Sequence, residues 1–204
     1  MENPTTKKIL FFDTETTGFV LKNKPIEEQP HLVQFWYILW EYHRDGTVEK
    51  ETSGDLFFNP GVPIPKGASD VHGITDEVVA DKPPVNEEFL RLFTALVRTA
   101  DIVVCHNVEY DRSVLFFEID RIYPLDLTPG KNQWKDMFCD KQLCTMLASC
   151  ELVGIKNAYG WKYPKLDELH RKLFWVGFDN AHNAMADIEA TKKCFFELKR
   201  RELI

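Results

Sequence analysis

Apolar and polar positions follow two periods along these 204 residues. The unbroken run Ile9-Leu10-Phe11-Phe12 predicts a strand buried on both faces, and Gly18 marks its end. Residues 31–42 are rich in β-formers (Val33, Phe35, Trp36, Tyr37, Ile38, Trp40). Asp45-Gly46 is a hairpin-turn signal, so 47–53 is expected to return antiparallel, and 56–59 to add a further strand before the proline-rich loop 60–65. Helical spacing takes over after Asn86, where Phe89, Leu92, Phe93, Leu96 and Val97 recur behind an acidic first turn. Residues 102–105 predict another buried strand ending at His106-Asn107, followed by a helix over 109–121. Helices are also expected over 166–174 and 184–200, with a short one over 76–79 capped by Thr75. Residues 19–30, 123–141 and 153–163 read as irregular, and 142–150 fits strand or helix equally.

Strands first, then helix–strand–helix, then further helices predict one α/β domain over 1–204, a mixed central sheet flanked by helices. In such a sheet Asp13 ends a central strand, where open sheets place their ligands. Composition alters little: 44% hydrophobic and 28% charged residues are ordinary for a soluble globular protein. No apolar run approaches the roughly 18 residues that a membrane span needs. The polar start lacks a signal-peptide core, and five cysteines without CxxC spacing point to reduced thiols in the cytoplasm rather than a zinc site. A net charge of −7 excludes a general nucleic-acid-coating protein. It leaves room for an enzyme that grips a short strand end, because bound divalent cations reverse the sign locally.

The candidate chemistry starts at Asp13-Thr14-Glu15. Alternation along a strand sends Asp13 and Glu15 to the same side, and adjacent carboxylates resist ionising together unless a cation lies between them. Hard oxygen ligands in this arrangement suit Mg²⁺ or Mn²⁺. Asp111 falls in the first turn of a helix, where an acid is favoured for the helix dipole alone. In Ala181-His182-Asn183-Ala184-Met185-Ala186-Asp187, small residues let a helix pack close to a sheet, so that Asp187 can reach the strand carboxylates. Taken singly, His182 reads as a surface histidine near a helix cap.

The ordered set FFDTETTG, HGIT, HNVEYD and HNAMAD resembles the DEDDh branch of the DnaQ-like 3′→5′ exonucleases, over nearly the whole chain. The resemblance implies a ribonuclease H-like fold and a nuclease that removes nucleotides from a 3′ end, single-stranded DNA or a frayed end being the expected substrate. It implies Asp13, Glu15, Asp111 and Asp187 as ligands of two divalent cations, Mg²⁺ or Mn²⁺, about 3.5–4 Å apart, with His182 as general base. Asp13 would bridge both ions, Glu15 and Asp187 complete the site of the one carrying the attacking water, and Asp111 hold the other.

For the substrate, Phe19 is placed to stack on the terminal base, and Thr14, Thr16 and Thr17 offer amides and hydroxyls to its sugar and phosphate. By resemblance His72 contacts base or sugar and Asn107 shapes the pocket. A polymerase or repair complex is an expected partner, and a membrane is not.

Three departures bear on partner and substrate: a longer 19–30 loop, an enlarged 123–163 segment, and no tail of the kind that holds a proofreading subunit to its polymerase. Rival readings are an exoribonuclease with the same site, a catalytically silent binding module, and a haloacid-dehalogenase-type phosphatase. The last expects Asp where Glu15 stands and has no place for His182 and Asp187.

Overall fold

The computed structural model describes residues 6–43, 48–123, 138–179 and 184–204. Its principal sheet runs, edge to edge, β3 (Val48–Phe57), β2 (Leu32–His43), β1 (Thr6–Thr16), β4 (Ile102–Cys105) and β5 (Gln142–Cys144). β1 pairs antiparallel with β2 and parallel with β4, so the apolar run of the N-terminal strand occupies the middle of a mixed sheet. β3 pairs antiparallel with β2 and β5 parallel with β4.

The alternation of β1 builds two cores at once. Leu10 and Phe12 face α3 (Glu87–Thr99) and α4 (Val108–Ile122), where Phe12 meets Phe93 edge-on at 5.5 Å. α1 (Lys66–His72) and α2 (Asp76–Val79) precede these helices. Ile9 and Phe11 face the opposite way, onto a cluster with Ile188 and Phe195. Those two residues belong to the C-terminal helix, and Phe11 packs edge-on against Phe195 at 5.5 Å. Asn86 caps α3 as its position predicts, accepting from the Phe89 amide at 3.1 Å.

Several expectations change. Residues 56–59 add no separate strand, because Leu56 and Phe57 continue β3 in unbroken register with Phe35 and Gln34. Gly54 is accommodated there because the Tyr37 ring lies across it; a Cβ would stand 2.4 Å from Tyr37 Cε1. α1 was not expected, and Thr75 stands at the N-cap of α2 without a side-chain capping bond. The ambiguous stretch 142–150 is both things in turn: β5, then α5 (Thr145–Ala148), then α6 (Cys150–Val153). Within 153–163, expected to be irregular, a small hairpin forms from β6 (Lys156–Asn157) and β7 (Gly160–Trp161). α7 (Leu166–Phe174) and α8 (Ala184–Arg200) match their predicted spans and pack through Leu169, Leu173, Cys194 and Leu198. The Asp45-Gly46 turn and most of 123–141 lie outside the described residues. No helix among the described residues is long and apolar enough to cross a membrane.

Candidate active site

The face of β1 that carries Ile9 and Phe11 onto α8 continues with Asp13 and Glu15, so both carboxylates are aimed at the N-terminal turn of that helix. Asp187, one residue before the core residue Ile188, lies in that turn. One carboxylate oxygen each from Asp13, Glu15 and Asp187 lies within 4.8 Å of the others.

The other face of β1 carries Thr14 and Thr16 toward α4. Asp111 is buried there, and its Oδ1 accepts from the Thr14 amide at 3.1 Å and from the Thr14 hydroxyl at 2.8 Å. The helix that follows β4 therefore delivers a fourth carboxylate against the end of the central strand.

Burial is the first cause of the site's unusual acidities. It raises Asp13 well above the usual carboxylate range, and the charges of Asp111, Glu15 and Asp187 push it further. Glu15 is pushed up to about 8 by burial, then by Asp187 and Asp111. Asp111 rises to about 7 through burial, held back by its hydrogen bonds with Thr14. Such a cluster gains its charge most readily when a cation enters, and an all-oxygen donor set fits Mg²⁺ or Mn²⁺ rather than a soft metal.

The remaining candidates lie around the exit of β1. Phe19 is 85% exposed, which excludes the core role an aromatic there could have had. It forms one wall of a cleft of about 410 Å³ shared with Gly18, Leu21, Glu28, His31 and Val62. His72 reaches the same edge. Its Nδ1 accepts from the Ile74 amide at 3.0 Å, leaving Nε2–H to donate to the Thr16 carbonyl at 3.2 Å, and burial lowers its pKa. Asn107 stands at the N-cap of α4 in a left-handed conformation (φ 73°) and makes no side-chain capping bond. His182 lies outside the described residues.

The three threonine hydroxyls already have internal partners. Thr14 bonds Asp111, Thr16 donates to the Gly18 carbonyl at 2.8 Å, and Thr17 accepts from the His31 amide at 2.9 Å.

Sequence reasoning overlooked three supports. The Tyr110 hydroxyl donates to the Gly18 carbonyl at 2.7 Å, and burial pushes its pKa up to about 12, which keeps it a donor. The Arg121 guanidinium bonds the carbonyls of Ile26, Gln29 and Pro30 and the carboxylate of buried Glu118, fixing the 19–30 loop to α4. His106, held neutral by burial with a pKa lowered to about 4, donates from Nε2 to the Pro164 carbonyl at 3.0 Å. Only the adjacency of Tyr110 to Asp111 and of His106 to Asn107 hinted at two of these; the partners lie too far along the chain to be read.

An exonuclease family model (RNase_T) matches residues 10–195. Among curated proteins, the chain is similar to the DNA polymerase III subunit epsilon-like protein of Rhodobacter capsulatus, 31% identical over 71% of this chain and 18% of that one. It is also similar to the DNA polymerase III subunit epsilon of Pasteurella multocida, 26% identical over 92% of this chain and 66% of that one. The chain thus spans under a fifth of the first relative and about two thirds of the second. Among solved structures, Escherichia coli exonuclease I in complex with single-stranded DNA superposes with a TM-score of 0.69 at 20% identity, over 96% of this chain and 41% of that one. At that identity the likeness establishes the fold, which is ribonuclease H-like.

Proposed function

Because the chain belongs to the DnaQ-like 3′→5′ exonuclease family, we propose that it is a metal-dependent hydrolase that removes nucleoside 5′-monophosphates one at a time from the 3′ end of a nucleic acid. The observation that carries this reading is the meeting of Asp13, Glu15 and Asp187 within 4.8 Å, with buried Asp111 beside them. Residues from three distant parts of the chain converge there at a cost in charge repulsion that a core would not tolerate without a use.

In this reading residues 1–204 form a single exonuclease domain. Asp13, Glu15 and Asp187 would hold one divalent ion, and Asp111, with Asp13, would hold a second. Bound Mg²⁺ or Mn²⁺ supplies a water acidified toward neutrality and neutralises charge on the phosphate. The chain's own work is to hold the strand end and move the proton. His182 would take the proton from the attacking water, a role that an imidazole suits near neutral pH. Phe19 offers its exposed face to the terminal base. His72, neutral and fixed by the Ile74 amide, orders the Thr16 carbonyl at the end of β1, and Asn107 would help to shape the pocket. With their hydroxyls engaged, and the Thr14 and Thr17 amides donating to Asp111 and to the His31 carbonyl, Thr14, Thr16 and Thr17 hold the end of β1 rigid beside the terminal sugar and phosphate.

Single-stranded DNA or a frayed 3′ end is the proposed substrate, supported by the single-stranded DNA bound in the exonuclease I complex. The epsilon-type relatives support association with a polymerase or repair complex. The cysteines Cys105, Cys139, Cys144, Cys150 and Cys194 are all free, which favours a reducing, cytoplasmic setting.

The test is cleavage of 5′-labelled DNA and RNA strands, duplexes and overhangs with Mn²⁺, beside Asp13→Ala and His182→Ala. A ladder shortening from the 3′ end, lost in both folded variants and in chelator, is expected. Strand binding without any cleavage would assign a silent module, and preference for RNA an exoribonuclease.

A further inference from the structure

The hairpin β6–β7 has no core function. Residues 155–161 are all exposed, yet the segment 155–165 carries three aromatic residues: Tyr159 is 98% exposed, Tyr163 64% and Trp161 40%. The same eleven residues hold Lys156, Lys162 and Lys165 and no acid, in a chain whose net charge is −7. Lys156 Nζ lies 4.6 Å over the Trp161 ring, bracing the indole on one face. Lys162 pairs with Glu168, and Lys165 makes no ion pair among the described residues.

The hairpin is built rather than loose. The Tyr159 amide donates to Asn157 Oδ1 at 2.8 Å, and Gly160 takes a φ of 121° that favours glycine. The Lys162 amide donates to the Ile155 carbonyl at 2.8 Å and closes it. Its position follows from one anchor. Pro164, directly after Tyr163, is bonded by His106, and His106 is the first residue beyond the carboxyl end of β4. β4 runs parallel to β1, so the hairpin rises from the sheet edge at which Asp13, Glu15 and Asp111 gather.

We infer that this hairpin is a stacking platform for single-stranded nucleic acid upstream of the scissile end, with bases on Tyr159, Trp161 and Tyr163 and phosphates near the lysines. π-faces interleaved with cations match a flexible polyanion of bases, and stacking of this kind tolerates any sequence. The inference rests on the exonuclease reading for the direction of the strand; the binding surface itself does not depend on catalysis.

The experiment uses the full chain and the triple variant Tyr159→Ala/Trp161→Ala/Tyr163→Ala, with thermal melting to verify the fold. Two substrates are compared: a thymidine dodecamer and the p-nitrophenyl ester of thymidine 5′-monophosphate, which has no upstream strand. The expected result is a rise of about tenfold or more in KM for the dodecamer, with hydrolysis of the ester unchanged. Anisotropy of a fluorescein-labelled dodecamer in EDTA gives a second, catalysis-free readout, in which the variant binds more weakly by a similar factor. An abasic dodecamer should lose the difference between the two proteins. If neither substrate is cleaved by the native chain, the exonuclease reading fails and the anisotropy still decides the platform. Dodecamer KM and affinity within about twofold of the native chain would overturn the platform, as would equal losses on ester and dodecamer.

Discussion

Thr14 joins the central strand to the proposed ligand Asp111, which its amide and hydroxyl both hold. Replacing it with valine keeps the shape and removes one of the two bonds. Groups that orient metal ligands typically contribute 10–100-fold, so Thr14→Val should raise the Mn²⁺ concentration for half-maximal cleavage about tenfold. An unchanged titration would show the hydroxyl to be idle. The same residues give the metal-free protein a pH signature. Asp111 and Glu15 have folded-state values of about 7 and about 8, above the values of an unfolded chain. Their favourable contribution is therefore full below about pH 4 and is lost as pH rises through their folded values. The melting temperature in EDTA should fall between about pH 5 and pH 8, and saturating Mn²⁺ should flatten that slope. At this scale strand alternation made the partnership of Asp13 and Glu15 legible in the sequence. Asp111 and Asp187 were legible only from the order of motifs, since each alone reads as an acid in a first helical turn. The partner of the Thr14 hydroxyl could not be read, because Asp111 stands more than ninety residues further along the chain.

Elements with a strong apolar period were legible to within a residue or two, α7 and α8 among them, because burial of one face decides them. The failures share another cause. β3 runs past Ser53 because its pairing with β2 outweighs a local glycine, and α1 forms from a polar segment with no buried residue to mark it. The 19–30 loop is held by groups remote in sequence. Arg121 satisfies three of its carbonyls while neutralising Glu118, which in turn accepts from the Leu32 amide at 3.0 Å. Arg121→Ala would leave buried Glu118 with the Leu32 amide but without its guanidinium, and should destabilise the fold by about 3–5 kcal/mol in urea unfolding. A loss below about 1 kcal/mol, the value of an exposed pair, would mean that water replaces the clamp.

Over the whole molecule, a mixed sheet brings the carboxyl ends of β1 and β4 to one edge, with α8 closing over β1 from one face and α4 from the other. That arrangement turns four acids scattered over 175 positions, from Asp13 to Asp187, into one cluster within an acidic protein of net charge −7. A phosphate brought to that cluster meets four carboxylates, whose charge a bound cation would offset. Isothermal titration with Mn²⁺, on the native chain and on Asp13→Asn without nucleic acid, addresses this cation binding at its source. Binding by the native chain, weakened about tenfold or more in the variant, is the predicted result. Equal Mn²⁺ affinity in the two proteins would contradict it.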